Sequence, residues 1–358
     1  MLTRAYTLRF HTPAFLGNAV QDGQWRTPPI KALLRQWWRV AYAADQTGVV
    51  DFKAMRTAEG RLFGVAADKD GDSLKSLVRI RLSRWDRGSL TPWAGQDSER
   101  VEHPEVKKDG KPSRVGAQLY LGYGPLILPR GQSAATLKAK AVIQAGEDGV
   151  LSVAFPAGAE GVRLDTALWL MNRYGTLGGR SRNGWGSFNL TPSEAGTPAF
   201  GEVLDPCLTA PWRSALNHDW PHALGTGDDK PLIWQTESLP DWKAVMRRLA
   251  ELKIGLRTHF VFPQNVQPPH RQPLERHWLA YPITHHSTSA WDRNARLPNS
   301  LRFKVRADAD GRLRGIIFHV PCLPPPQFKP NRAVIESVWS QVHAHLDHAD
   351  RKLTRIPA

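Results

Sequence analysis

Between Arg173 and Phe188 the chain reads Arg-Tyr-Gly-Thr-Leu-Gly-Gly-Arg-Ser-Arg-Asn-Gly-Trp-Gly-Ser-Phe, and here residue types and spacing most clearly permit chemistry. Glycine reaches positive φ and lets the main chain approach a ligand closely. Successive backbone N–H groups around Gly178, Gly179, Ser181 and Asn183 then form a concave anion nest, to which Arg173, Arg180 and Arg182 add charge and Trp185 an aromatic neighbour. The run has no Gly-Lys-Ser/Thr at Walker spacing, and its glycines do not read Gly-x-Gly-x-x-Gly after a strand, so nucleotide hydrolysis is unsupported. A ligand-free tight turn is the plain alternative. The flanking arginines and Trp185 favour contact with a nucleic-acid backbone.

The histidines number 13 and raise acid–base catalysis, which needs an imidazole beside a scissile phosphate. His11, His259 and the His285-His286 pair are the candidates, and none shows a partner in the sequence. Metal binding is weaker still. His343, His345 and His348 do not converge on one helical face, and the span from His218 to His222 is broken by Pro221. Cys207 and Cys322 stand far apart without a CxxC, so neither a disulfide framework nor a thiolate metal site is supported. No catalytic residue, metal or cofactor is expected.

A second basic and aromatic set lies on a helix expected from Pro28 to about Ala44, with Thr27 as its cap and Ile30, Leu33, Leu34, Trp37 and Ala41 as its apolar stripe. Lys31, Arg35, Trp38, Arg39 and Tyr42 fall together on another face. Such a face pairs with phosphates while an aromatic ring stacks on a base; the alternative is a solvated face with Trp38 buried. Two alternating strands add charge. Arg79 and Arg81 oppose Val78, Ile80 and Leu82, and Arg302, Lys304 and Arg306 oppose Leu301, Phe303 and Val305. Each row is a binding face or a solvated edge.

Positioning these groups calls for a strand over 2–10 with Leu2, Tyr6, Leu8 and Phe10 on one face, the helix from Pro28, and a strand over 77–82. Further strands are expected around 120–127, 139–143 and 151–155, and a second helix over 165–174. Residues 84–114 carry no apolar period and read as a long insertion. The order suits an α+β, split βαβ, ferredoxin-like unit whose sheet keeps one face open. Residues 191–205 form the best linker. A second domain then contains a helix after Asp241, a hairpin over 301–320 around Asp308-Ala309-Asp310-Gly311, and a helix from Arg332 to about Ala349. The expected division is 1–200, holding the loop and the insertion, and 201–358.

The chain has 358 residues, with 48 Lys and Arg against 33 Asp and Glu, a formal net charge of +15. A polyanionic partner explains such an excess economically. No apolar run approaches a membrane span and the N-terminus alternates like a strand, so a cytoplasmic protein without a membrane partner is expected. The 14 Trp belong mostly to core or interface.

With these residues in view, the sequence resembles the RAMP superfamily of CRISPR-associated RNA-binding proteins, and within it the first subunit of the type III-B Cmr RNA-guided effector. The matching stretches are Phe10 to Gly17, Arg26 to Arg39, Arg61-Leu62-Phe63-Gly64 and the glycine loop Leu177 to Phe188. Leu279-Ala280-Tyr281-Pro282 and Leu301 to Arg306 match more loosely. The resemblance implies two ferredoxin-like, RRM-like modules in an architectural subunit that holds the 3′ part of a guide RNA, helps to capture single-stranded target RNA and assembles with other RAMP subunits. Arg61 joins the expected RNA contacts on this basis. Where the superfamily has Gly-Gly after the first strand, this chain has Gly17-Asn18, and Asn18 is expected to tolerate the turn. Two alternatives remain: a metal-independent, repeat-processing endoribonuclease of the same superfamily, and an adaptor that binds only protein.

Overall fold

A computed structural model of the chain describes residues 1–46, 50–66, 73–93, 99–263, 266–308 and 310–356. In chain order the elements are β1 (Leu2–Phe10), α1 (Thr27–Ala44), α2 (Phe52–Phe63), β2 (Arg79–Leu82), β3 (Arg100–Lys108), β4 (Lys111–Gly116), α3 (Ala117–Gly122), β5 (Leu126–Ile127), β6 (Thr136–Leu137), β7 (Asp148–Phe155), α4 (Ala159–Tyr174) and β8 (Phe188–Pro192). There follow β9 (Thr209–Pro211), α5 (Trp212–Ala215), β10 (Leu224–Gly227), β11 (Lys230–Pro231), β12 (Ile233–Gln235), α6 (Trp242–His259), β13 (Leu301–Ala307), β14 (Leu313–His319), α7 (Arg332–Asp347) and β15 (Thr354–Arg355). The class is α+β. Unit 1 comprises Met1–Gly95, Gly122–Leu208 and Lys304–Ala307; unit 2 comprises Gln96–Leu121, Thr209–Phe303 and Asp308–Ala358.

In unit 1 the sheet runs β2-β7-β1-β8 with antiparallel neighbours. Tyr6 lies opposite Leu151, Leu8 opposite Leu190, and Phe10 opposite Phe188, so strand alternation puts these apolar side chains on one face. Arg4 shares that face and forks onto Asp165 of α4 at 2.9 and 2.8 Å, which identifies it as the helix-covered side. The other face carries Thr3, Thr7, Arg9, Arg79, Arg81, Ser152, Asn189 and Thr191, all exposed or half-buried.

Helix α1 buries Ile30, Leu34, Trp37 and Ala41 as their spacing predicts. Thr27 does not cap it. The N-cap is Arg26, without a side-chain bond, and a proline sits in the first turn. Helix α2 has no counterpart among the expected elements. Its inward stripe of Met55, Leu62 and Phe63 includes the carboxylate Glu59, and Asp51 caps it by accepting from the Lys53 and Ala54 amides. Asn18 does anchor its turn, through a side-chain oxygen that accepts from Val20 N at 3.0 Å and Asp22 N at 2.9 Å.

Other expectations need correction. Residues 117–122 are helical, and Val142 and Ile143 make only isolated bridges, to Leu90 and Ala14. The stretch from Arg84 to Arg114 contains regular structure: β3 and most of β4 form a hairpin in which Val101 and His103 alone are buried along β3, a period too brief to stand out among charges. Residues 94–98 of that stretch lie outside the described residues. The linker candidate is bound to unit 1 throughout. Thr197 Oγ1 accepts from Ala5 N, Phe200 stacks on Tyr6, and Trp169 donates to Gly201 O.

A second four-stranded sheet is ordered β13-β14-β12-β15. Numbered within each sheet along the chain, both sheets read second, third, first, fourth. Asp241 caps α6 by accepting from Ala244 N, and Asn331 caps α7 by accepting from Val334 N. The hairpin turn closes through Asp308 N to Arg312 O at 2.8 Å, with Gly311 at φ +80°; Ala309 lies outside the described residues. No helix among them is long and apolar enough to cross a membrane.

Candidate nucleic-acid interface

The glycine loop leaves α4 at Gly175 and returns at Ser187, and its neck is closed by Leu177 N to Gly186 O at 2.9 Å and a Thr176–Ser187 bridge. Gly186 has φ +63°, and a Cβ there would fall 1.9 Å from Leu177 O; Gly178, at φ +92°, would place one 2.6 Å from Phe15 O. No other residue fits either position without moving backbone. The segment after β1 clamps the loop from outside. Gly179 N donates to Phe15 O, Gly186 N to Pro13 O, and Thr12 Oγ1 to Gly184 O.

Lys304 secures the start of the loop. Its ammonium is fully buried, 2.7 Å from both Asn172 O and Gly175 O and 4.7 Å from the Phe188 ring centroid. Carbonyls at a helix C-terminus lack intrahelical donors and attract cations, so the lysine serves as the cap of α4. Burial, followed by the nearby Arg306 and Arg173, pushes its pKa well down from the usual lysine value. Val305 N donates to Ser187 Oγ at the other end of the loop.

This architecture corrects the nest expected from the sequence. Leu177, Gly179, Asn183, Gly184 and Gly186 all direct their N–H groups to the protein's own carbonyls, so the loop is preorganised by internal bonds and is not a run of open donors. Trp185 is fully buried between Phe15 and Trp93, with ring centroids at 5.0 and 5.7 Å, which excludes stacking on a base. Arg180 is exposed at φ +56°, with its guanidinium against Gly124, while Ser181, Arg182 and Asn183 are half-buried beside it. Arg173 turns away, donating to Glu202 O and lying over Trp169.

The basic face of α1 is also redirected. Arg35 and Arg39 both bind the buried Glu59, at 2.8 and 2.5 Å. Burial would raise the Glu59 pKa, but hydrogen bonds from the two guanidinium groups hold it below the usual carboxylate range. Trp38 is fully buried, donates to Glu160 and packs on Phe63 and Tyr42. Lys31 is half-buried. The row on β13 is covered as well, Arg302 being 7% and Lys304 0% exposed. Arg61, at the end of α2, and Arg79 and Arg81, on the open sheet face, are exposed as expected.

One feature invisible in the sequence completes the surface. A cavity of about 310 Å³ opens beside the loop, walled by Phe15, Gly124, Pro125, Lys138, Val142 and Gly179. Lys138 lines it, and the Arg180 guanidinium lies against Gly124 of its wall. Among the catalytic candidates, His11 has its Nε2 buried without a hydrogen-bond partner, and burial, then Lys304 and Arg9, lowers its pKa to about 4. His259 is exposed. His286 has a ring-nitrogen contact of 3.3 Å with His270. The described residues contain no group of three or more His, Cys, Asp or Glu able to hold a metal ion.

No family model matches the sequence, and no curated protein does. Among solved structures, the chain is similar to Cmr1 from Pyrococcus furiosus in its apo form, at 14% identity over 95% of this chain and 97% of that one, with a TM-score of 0.44. It is similar also to a chain of the type III-B Cmr-beta complex bound to cognate target RNA and AMPPnP in the presence of single-stranded DNA, at 11% identity over 95% and 99% of the two chains, TM-score 0.47. A type IV-B CRISPR complex chain aligns at 13% identity over 57% and 95%, TM-score 0.32.

Proposed function

We propose that the chain is a non-catalytic, RNA-binding subunit of a type III-B CRISPR (Cmr) effector complex, holding the 3′ part of a guide RNA and helping to capture single-stranded target RNA in antiviral defence. The observation that carries this reading is the internally bonded glycine loop. It carries Arg182 and Arg180, the latter against Gly124 in the wall of a cavity that Lys138 also lines, within the stretch that resembles the RAMP glycine loop. A loop fixed by its own hydrogen bonds and carrying arginines suits a backbone that must be held without reading its sequence. The shared strand order of the two sheets supports ferredoxin-like modules. On the sheet of unit 1, Arg9, Arg79 and Arg81 lie among Thr and Ser side chains on the open face, a surface suited to phosphate and ribose. Aromatic rings, which a base-stacking platform requires, are missing from the face residues named above.

The non-catalytic part of the reading is supported by His11. Its lowered pKa and enclosed Nε2 oppose proton transfer to a phosphate at neutral pH. The other proposed partners are further RAMP subunits of the assembly. Titration of single-stranded RNA against the full chain from about 50 to 200 mM salt tests the interface, since each neutralised phosphate contributes about −0.7 to the log–log slope. Arg180→Ala with Arg182→Ala is expected to make that slope shallower by about 1.4 and to weaken unrelated sequences equally. A nearly flat titration of the parent chain would sink the RNA reading.

A further inference from the structure

Unit 2 holds a second cleft, of about 810 Å³, lined by Glu105, Phe262, Gln267, Pro269, His285 and His286. Its floor is a fixed aromatic assembly. The His286 ring stacks on Phe262 with centroids 3.8 Å apart and planes 5° from parallel, and the Arg276 guanidinium lies 5.2 Å from the same phenyl centroid. His270 is coplanar with His286 to within 3°, and its Nε2 is 3.3 Å from His286 Nδ1. The ring centroids are 5.6 Å apart, which leaves the two nitrogens pointing at each other. That is the geometry of an N–H···N hydrogen bond, whereas lone pairs in a tetrahedral metal site would converge on a third point.

The protons on these rings can be assigned. His270 is 2% exposed and its Nδ1 is buried without a partner. A buried N–H without an acceptor is rarer than an acceptor without a donor, so the bare nitrogen is Nδ1 and His270 Nε2–H donates to His286 Nδ1. Neutral His286 therefore carries its own proton on Nε2, the nitrogen left for the cleft. His277 fixes the backbone beneath it: its Nδ1 accepts from Leu274 N at 2.9 Å, and its Nε2 is 2.9 Å from His286 O, to which it donates. Burial, then His270 and Arg276, depresses the His286 pKa and keeps the ring neutral near pH 7.

The walls point to one class of occupant. Val261 and Val266 are 75% and 48% exposed on the rim, beside flat proline rings. The Glu105 carboxylate is closed by both nitrogens of the Arg276 fork. Arg257 lies near enough to act electrostatically on His103, Glu105 and Tyr120. A cleft that combines flat aromatic and proline surfaces with a fixed N–H donor matches an unstacked base, which offers a flat face and edge acceptors. We propose that this cleft receives one splayed-out nucleotide of single-stranded RNA, with His286 Nε2–H donating to an acceptor on the base edge. A single donor reads little sequence, so the site grips more than it selects.

The proposal rests on the RNA-binding reading above, and its test separates the two. Single-stranded RNA carrying 4-thiouridine is photo-crosslinked to the full chain and the labelled peptides are mapped. Label is expected both within 177–188 and within 261–269 or 285–287. His286→Ala and Phe262→Ala each lower the second set by about tenfold, the scale of one lost base contact, while the first set persists and reports a folded protein. His286→Gln, which keeps a donor, restores much of the label. Crosslinks confined to 177–188 overturn the cleft and leave the loop reading standing. So does a cleft whose amides are protected from exchange by a partner subunit in place of RNA. Absence of label at both sites overturns the function itself.

Discussion

Replacing Lys304 by methionine keeps the length and apolar stem of the side chain and removes only the ammonium that closes the end of α4. Two N–H···O contacts of 2.7 Å, to Asn172 O and Gly175 O, disappear. A hydrogen bond involving a charged group contributes about 1.5–3 kcal/mol net, so losing both costs about 3–6 kcal/mol. Methionine avoids the several kcal/mol needed to bury an ammonium, and the expected loss is therefore nearer the lower figure, about 3 kcal/mol. Lys304→Ala adds a cavity and should cost more. A chain of two units need not unfold in one step, so the local measurement is hydrogen exchange at Leu177, Gly179 and Gly186, whose amides are bonded within the loop. Loss of about 3 kcal/mol speeds their exchange by roughly a hundredfold if they open together with the end of α4. RNA affinity should fall with it while amides of α7 keep their protection. Unchanged exchange in Lys304→Met would show that burial of the charge cancels its bonds, and the lysine would lose its role in positioning the loop.

Gln118 is fully buried with both side-chain polar atoms lacking a hydrogen-bond partner, so Gln118→Met is expected to raise the urea midpoint by an amount equivalent to about 1–3 kcal/mol; a lowered midpoint would mean that the amide is satisfied in solution. His319 and His343 share a buried contact of 3.0 Å, and burial lowers both pKa values, that of His343 to about 3. Because the unfolded chain takes up these protons first, their contribution to stability is complete above about pH 6.5 and declines as the pH falls towards 3. Denaturation midpoints measured between these limits should fall less steeply in His343→Gln, and an unchanged slope would remove the pair from the acid response.

Periodicity reveals only what repeats locally, and the discrepancies follow from that. The apolar stripe of α1 and the open position of Arg79 and Arg81 were legible because alternation and helical spacing carry them. The basic face of α1 was not. Its counter-charge, Glu59, lies on a helix whose inward stripe contains that carboxylate and so shows no apolar period. Alternation placed Lys304 on the correct face of its strand but could not say what covers that face. The glycine loop was legible as a loop that needs glycine, yet the fate of its N–H groups depends on Pro13 and Phe15, more than 160 residues upstream. Likewise, His270 and His286 are separated by an irregular segment, and no spacing rule pairs them.

The short segment Lys304–Ala307 belongs to unit 1 although almost a hundred residues of chain separate it from the rest of that unit. Cutting after Leu208 to obtain the glycine-loop half alone would therefore remove the cap of α4 and the amide that binds Ser187. Such a fragment would keep every residue of the loop and its bonds to Pro13 and Phe15, and lose the ones that anchor its two ends. In fragment complementation, the piece that restores the loop is one that carries Lys304 and Val305, whatever else it contains.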